Sequence, residues 1–265
     1  VNDTILNLEG AVTGTLGATA TTGGITDSGT LSVTGNATFN DVALAGITLG
    51  TLQADSNVIL TAAGNTAIVN DTILNLEGAV TGTLGATATA GGITDSAELN
   101  VSSNATFTSA TGTNIILDTA ANTFGGTVTF VGAGGNLNNV TITDDTALDL
   151  LGLTLDGALV ATGAGITQSG GVLTITGTTT LAAGANNITL NGANDFSTVL
   201  ITNGNNVALT DANGIILGAS TVGGTLAVTT TSGTITDSGN VSVVGNVTLN
   251  DVALAGITLG TLQAD

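Results

Sequence analysis

Lysine, arginine, histidine, cysteine, methionine, proline, tryptophan and tyrosine are all missing from this chain of 265 residues. Each absence closes a class of chemistry. With no cation set against 19 carboxylates, the formal charge is −19. That excludes electrostatic recognition of nucleic-acid phosphates, a task for Lys and Arg, and it opposes docking on anionic membranes. Without Cys there are no disulfides, redox pairs or thiolate metal sites. Without Pro, turns rest on Gly and Asn, which tolerate positive φ. A protease that requires Lys or Arg has nothing to cut. No apolar run nears the roughly 18 residues of a membrane-spanning helix, and no signal peptide opens the sequence. A chain that starts at Val1 and holds no Met reads as an internal segment of something longer.

What remains is 42% hydrophobic, with 40 Gly and five Phe as the only aromatics. Val, Ile, Leu and Ala suit strands, and this much apolar material is not the signature of disorder. The text is also periodic. Ile25-Thr26-Asp27-Ser28 returns as Ile93-Thr94-Asp95-Ser96, as Ile166-Thr167-Gln168-Ser169 and as Ile235-Thr236-Asp237-Ser238. Val1–Ser28 matches Val69–Ser96 with one difference, Thr22 against Ala90, and Asn40–Asp55 recurs unchanged as Asn250–Asp265. A period of roughly 70 residues is thus nested in one of 210, and such self-similarity marks a repeat architecture.

Within each repeat, short triplets such as Leu31-Ser32-Val33, Leu99-Asn100-Val101 and Val241-Ser242-Val243 alternate apolar and polar residues between Gly/Asn/Asp/Ser clusters. Helices are opposed throughout by the glycine content. A string of β-sandwiches would need about 100 residues per domain and usually a large buried aromatic. A parallel β-solenoid fits the shorter period better. The expectation is an all-β, right-handed parallel β-helix, about three strands and 23 residues per rung. Residues 1–265 are expected to form a single continuous solenoid segment of a longer array. In it, 1–55 would close one long repeat and 56–265 form a full one.

Phrases such as GTLSVTGNATF, GGTVTFVGAGGNLNNVTI and GGVLTITGTTTLAAGANNITLNGANDF resemble the repeat regions of filamentous-haemagglutinin-like exoproteins. They are also similar to the β-strand repeats of autotransporter passengers. The resemblance implies a right-handed parallel β-helix, secretion, and an adhesive or fibrous role at the cell surface.

Catalysis could come only from carboxylates, and the densest group is Asp144, Asp145, Asp149 and Asp156. Neighbours on a strand face opposite ways, and no aromatic or basic residue is present to hold a sugar, so an enzyme is not expected. Calcium is the one cofactor alternative, since hard oxygen ligands suit it. Yet the recurring Asp27, Asp95 and Asp237 are expected about three rungs apart, beyond the screening length, and the fourth copy is Gln168. No catalytic, cofactor-binding or metal residue is therefore assigned. Asn-x-Ser/Thr triplets at Asn2, Asn36, Asn70, Asn100, Asn104, Asn139, Asn187, Asn240 and Asn246 are what an Asn/Thr-rich chain gives by chance, with glycosylation the alternative. Thr178–Thr180 and Thr229–Thr231 are too isolated for an ice-binding ladder. The functional expectation is a structural extracellular fibre or surface stalk, partnered with itself head to tail and with neighbouring filaments. A carbohydrate-binding or carbohydrate-cleaving β-helix is the alternative.

Overall fold

The computed structural model describes residues 4–119 and 122–264, and every regular element among them is a β-strand. The chain divides into two compact units, Val1–Leu137 and Asn138–Asp265.

In the first unit the strands run β1 (Leu6–Val12), β2 (Leu16–Ala20), β3 (Ile25–Val33), β4 (Ala37–Asp41), β5 (Ile47–Ala54), β6 (Asn57–Ala62), β7 (Thr66–Asn70), β8 (Leu74–Val80), β9 (Leu84–Ala88), β10 (Ile93–Val101), β11 (Ala105–Ala110), β12 (Ile115–Leu117), β13 (Thr123–Phe124) and β14 (Thr127–Ala133). Successive strands never pair with each other. Instead β1, β3, β5, β7, β9 and β11 stack in parallel as one sheet, while β2, β4, β6, β8 and β10 stack as a second. The chain therefore coils, crossing from one sheet to the other and back before it meets itself again. This is the parallel β-solenoid expected from the alternating triplets.

Most coils are shorter than the length read from the repeat. Leu6 opposes Ile25, Ile25 opposes Ile47, Ile47 opposes Thr66 and Thr66 opposes Leu84. The step in these pairs varies between 18 and 22 positions along the chain, as side-chain bonds between coils also do, and it reaches the expected 23 where Ala105 opposes Val128 and Asn104 meets Thr127. The difference lies at one corner. In β3 the pairing breaks between Thr26 and Leu31, so Leu31–Val33 turns away as a short third side. The coil of β6 and β7 has no such bend and closes soonest, Asn57 opposing Asn75. Three strands per coil thus holds for the longer coils and two for the shortest.

Shorter coils change the phase of the repeat. The stretch from Ile25 to Ile93 spans three full steps in one column, to Leu84, and then a further crossing. A sequence repeat is three and a half coils. Its successive copies therefore lie on opposite sheets, Ile25 in that of β3 and Ile93 in that of β10.

The second unit follows the same plan. Val207, Leu226 and Val247 form a column in one sheet, Ile215, Ile235 and Ile257 in another. The third side is a separate short sheet of Ser220–Val222, Val241–Val243 and Leu262–Ala264. Here too Ile166 and Ile235, one repeat apart, stand in different sheets.

Alternation places the core. Ala37 and Phe39 in β4, Val58, Leu60 and Ala62 in β6, and Leu76 and Val80 in β8 point inward, one above another. Burying each larger aliphatic side chain is worth about 1.5–3 kcal/mol. Phe107 meets Phe124 edge-on and stacks on Phe130, its neighbour one coil along, with ring centroids 5.9 Å apart in both pairs. Aromatic columns of this kind are stable in offset and edge-on geometries.

Candidate functional site

The recurring Ile-Thr-Asp-Ser stretch lies at the corner where the third side begins. There the Asp carboxylate reaches the coil above. Asp27 Oδ1 accepts the N–H of Gly50 at 2.8 Å, and Oδ2 accepts the N–H and hydroxyl of Thr51 at 2.6 and 2.9 Å. Asp237 repeats this with Gly260 at 2.9 Å and Thr261 at 2.9 and 2.7 Å. Asp95 accepts from the N–H groups of Asp118 and Thr119 and from the Asn122 amide. Where the fourth copy carries Gln168, its Oε1 takes the N–H of Gly192 and its Nε2 donates to Asn194. Backbone N–H groups at a bend lose their ladder partners, and the carboxylate supplies them. The N–H of Gly260, then the Thr261 hydroxyl, hold the Asp237 carboxyl below the usual range.

These contacts bear on calcium. Each of Asp27 and Asp237 already spends both carboxylate oxygens on N–H and O–H donors of its neighbouring coil. Within the first unit, Asp27 and Asp95 sit on strands of opposite sheets. Among the described residues no three acidic side chains gather where a metal ion could sit.

A second set of aspartates faces inward. Asp41, Asp144, Asp211 and Asp251 each end a strand and are buried there, and in the second unit Asp144 stands on one sheet and Asp211 and Asp251 on the other. Asp211 takes the N–H groups of Phe196 at 2.7 Å and Asn213 at 2.8 Å, and burial pushes its carboxyl above the ordinary value. Asp144 accepts the N–H and hydroxyl of Thr146. Asparagines close further corners. Asn187 Oδ1 accepts the N–H and side-chain amide of Asn206, whose own Oδ1 accepts from Thr225.

The acidic group weighed for catalysis is dispersed by this arrangement. Asp144 points into the core and its neighbour Asp145 out to solvent, as adjacent strand residues must. Asp149 belongs to the other sheet, where it accepts from Ser169 and Thr167. Asp156 is exposed beyond the next strand.

The glycosylation triplets divide as well. Asn70 is fully buried, its side-chain nitrogen donating to the carbonyls of Ala54 and Ile73, so it has no amide to offer a glycan in the folded chain. Asn36 and Asn104 serve the next coil through their side-chain oxygens. Asn2 lies outside the described residues. In the threonine triplets, Thr179 and Thr230 point inward, leaving too few outward rows for a regular lattice.

The sequence carried a signal for the carboxylate clamps that periodicity alone does not reveal. Gly50-Thr51 follows Asp27, and Gly260-Thr261 follows Asp237, at the same interval of one long coil. Counted against the coil length expected from the repeat, that interval puts the two groups side by side.

No curated protein and no solved structure matches the chain. A family model described as repeats of unknown function (DUF5649) matches it four times, over residues 1–68, 63–131, 137–203 and 204–265. With nearly its whole length covered, the chain belongs to that family, as four successive β-solenoid repeats.

Proposed function

We propose that this chain is a structural segment, one that gives length to an extracellular fibre or cell-surface stalk, and that its partner is more of itself. The coarse part of that reading, a repeat β-solenoid, is the fold described above. The observation that carries the finer part is the stacking itself. Ile47 and Leu52 are wholly buried under the coil of β6 and β7, and β4, β6 and β8 cover one another in the same way through parallel ladders. Apolar rows hidden by nothing but the next coil suit a structure made by repetition, in tandem or from a second chain head to tail.

Other features support the same reading. Each repeat contacts its neighbours through backbone ladders and corner clamps, so adding copies adds length without new design. The acidic surface keeps such arrays soluble, and the absence of Lys and Arg suits an environment rich in proteases. The resemblance to filamentous-haemagglutinin-like and autotransporter-passenger repeats points to the cell surface and to neighbouring filaments.

Electron microscopy of chains carrying two, four and eight repeats tests this. The expected result is rods whose length grows in proportion to copy number, with about 4.8 Å between coils. Compact particles of constant dimension would defeat it.

A further inference from the structure

Leu44 has φ +63° and its counterpart Leu254 has φ +58°. In that left-handed region a Cβ crowds the following carbonyl, and a bulky residue there is a true outlier. Among the described residues these two are the only non-glycines to adopt it. The equivalent corner one repeat after Leu44 shows what the backbone prefers. There the same position is Gly112, φ +73°, and buried Ser109 stands in the place of Asp41. Glycine fits this corner without strain; leucine does not.

Nor does leucine fill the core. Leu44 is 74% exposed and Leu254 89%, and the flanking Val42 and Val252 are exposed too. The corner is nevertheless firmly built. The buried Asp41 carboxylate takes the N–H of Ala43 at 3.2 Å and of Gly46 at 2.6 Å, and Asp251 takes that of Gly256. Both copies therefore hold an apolar side chain out into water against backbone strain and hydration together. Strain that stability does not explain points to a partner.

Beside the Leu44 knuckle lies an open apolar groove of about 190 Å³, walled by Val42, Ala62, Ala63 and Ala79 with Thr61 and Thr81. Its single carboxylate is Asp41, turned inward and hydrogen-bonded. In a chain of net charge −19 this patch offers no exposed charge. We propose that it is where a second copy of the chain pairs sideways, Leu44 of each copy entering the groove of the other. Knuckle and groove adjoin on one surface, so a two-fold arrangement satisfies both at once. A basic partner would find no carboxylate here to attract it, and an anionic membrane would repel the acidic chain around the patch. Two like-charged chains approach best where neither carries charge. The pairing adds a side-by-side contact to the fibre reading but does not rest on it, since two chains can pair with no end-to-end stacking.

Sedimentation velocity of the whole chain over a range of concentrations tests the proposal. Lateral pairing closes at a dimer, whereas end-to-end stacking grows without limit, so the two readings fail separately. Leu44→Gly should weaken the dimer by about tenfold or more while raising the thermal unfolding midpoint, which separates lost contact from lost fold. Ala79→Asp, on the groove wall, should weaken it with the knuckle intact. A chain that stays monomeric at every concentration overturns the proposal, and so does a dimer indifferent to these substitutions. Binding to phosphatidylcholine vesicles that depends on Leu44, with no dimer, would assign the knuckle to a lipid surface instead and overturn it as well.

Discussion

Asp27 Oδ2 stands 2.6 Å from the amide nitrogen of Thr51, and Asp237 Oδ2 stands 2.9 Å from that of Thr261, each across one coil. The two pairs sit in different units and are built alike, down to the threonine hydroxyl that returns to the same oxygen. The recurring aspartate is a clamp between coils at a corner where the ladder of backbone hydrogen bonds is interrupted.

Its charge state makes the clamp sensitive to acid. The Asp237 carboxyl has a lowered value in the folded chain. It therefore contributes stability above its unfolded value of about 3.8, and that contribution is lost as pH falls through the lower folded value. Asp237→Asn should be less stable than the parent at neutral pH. The gap should close in strongly acidic solution. Thermal unfolding followed at several pH values checks this; a gap constant with pH would contradict it.

Asp211 has the opposite sign. Burial raises its carboxyl, so the charged form is a burden on the fold. Its contribution is present below about 3.8 and is lost as pH rises through the raised folded value. Asp211→Asn keeps one acceptor for the N–H groups of Phe196 and Asn213, and Asp211→Ala keeps none. The alanine variant should lose about 1–3 kcal/mol for each donor left buried and unpaired, and more than the asparagine variant. Denaturant unfolding of the two variants side by side reads the difference.

Gly10 and Gly78 occupy the same place in two copies of Leu-Asn-Leu-Glu-Gly-Ala-Val, with φ +104° and +110°. A Cβ at Gly10 meets nothing within 4 Å, whereas at Gly78 it would lie 2.1 Å from the Leu60 carbonyl oxygen. Gly10→Ala should cost about 1–2 kcal/mol, from backbone strain alone. Gly78→Ala should cost about 3 kcal/mol or more, because backbone of the adjacent coil must move. Equal effects in denaturant unfolding would show that the coils do not press on each other as described.

Coil length can be tested by excision. Removing Asn57–Leu74, one whole coil by the Asn57–Asn75 pairing, should leave the circular dichroism per residue and the unfolding midpoint close to the parent's, since repeats contact only their neighbours. Removing Ile59–Ala67, which cuts β6 and β7 through the middle, should lower the midpoint sharply.

Much of this architecture could be read from the residues. Alternation in Ala37-Thr38-Phe39 or Val241-Ser242-Val243 and the lack of any helical period specify short strands, and the repeat specifies a solenoid. The phase was not legible. A sequence period counts residues, but the coil closes sooner or later according to whether a strand bends, as β3 does between Thr26 and Leu31, and no single residue announces the bend. Asp27 was visible as a charge and invisible as a clamp until Gly50-Thr51 lay above it. Leu44 gave no sign at all, because Val-Ala-Leu-Ala reads as strand or loop alike and only the backbone reveals its conformation.

The half-coil offset between successive repeats has one more outcome. Anything that a repeat displays outward, whether a glycan, a mutation or a bound neighbour, faces the other way in the next copy along a unit. Decoration placed once per repeat would emerge from both flanks by turns, like leaves set alternately on a stem. Decoration placed once per pair of repeats would mark a single flank. Evenness or oddness of spacing, more than the number of attachment points, thus determines whether such a solenoid is one-sided or two-sided.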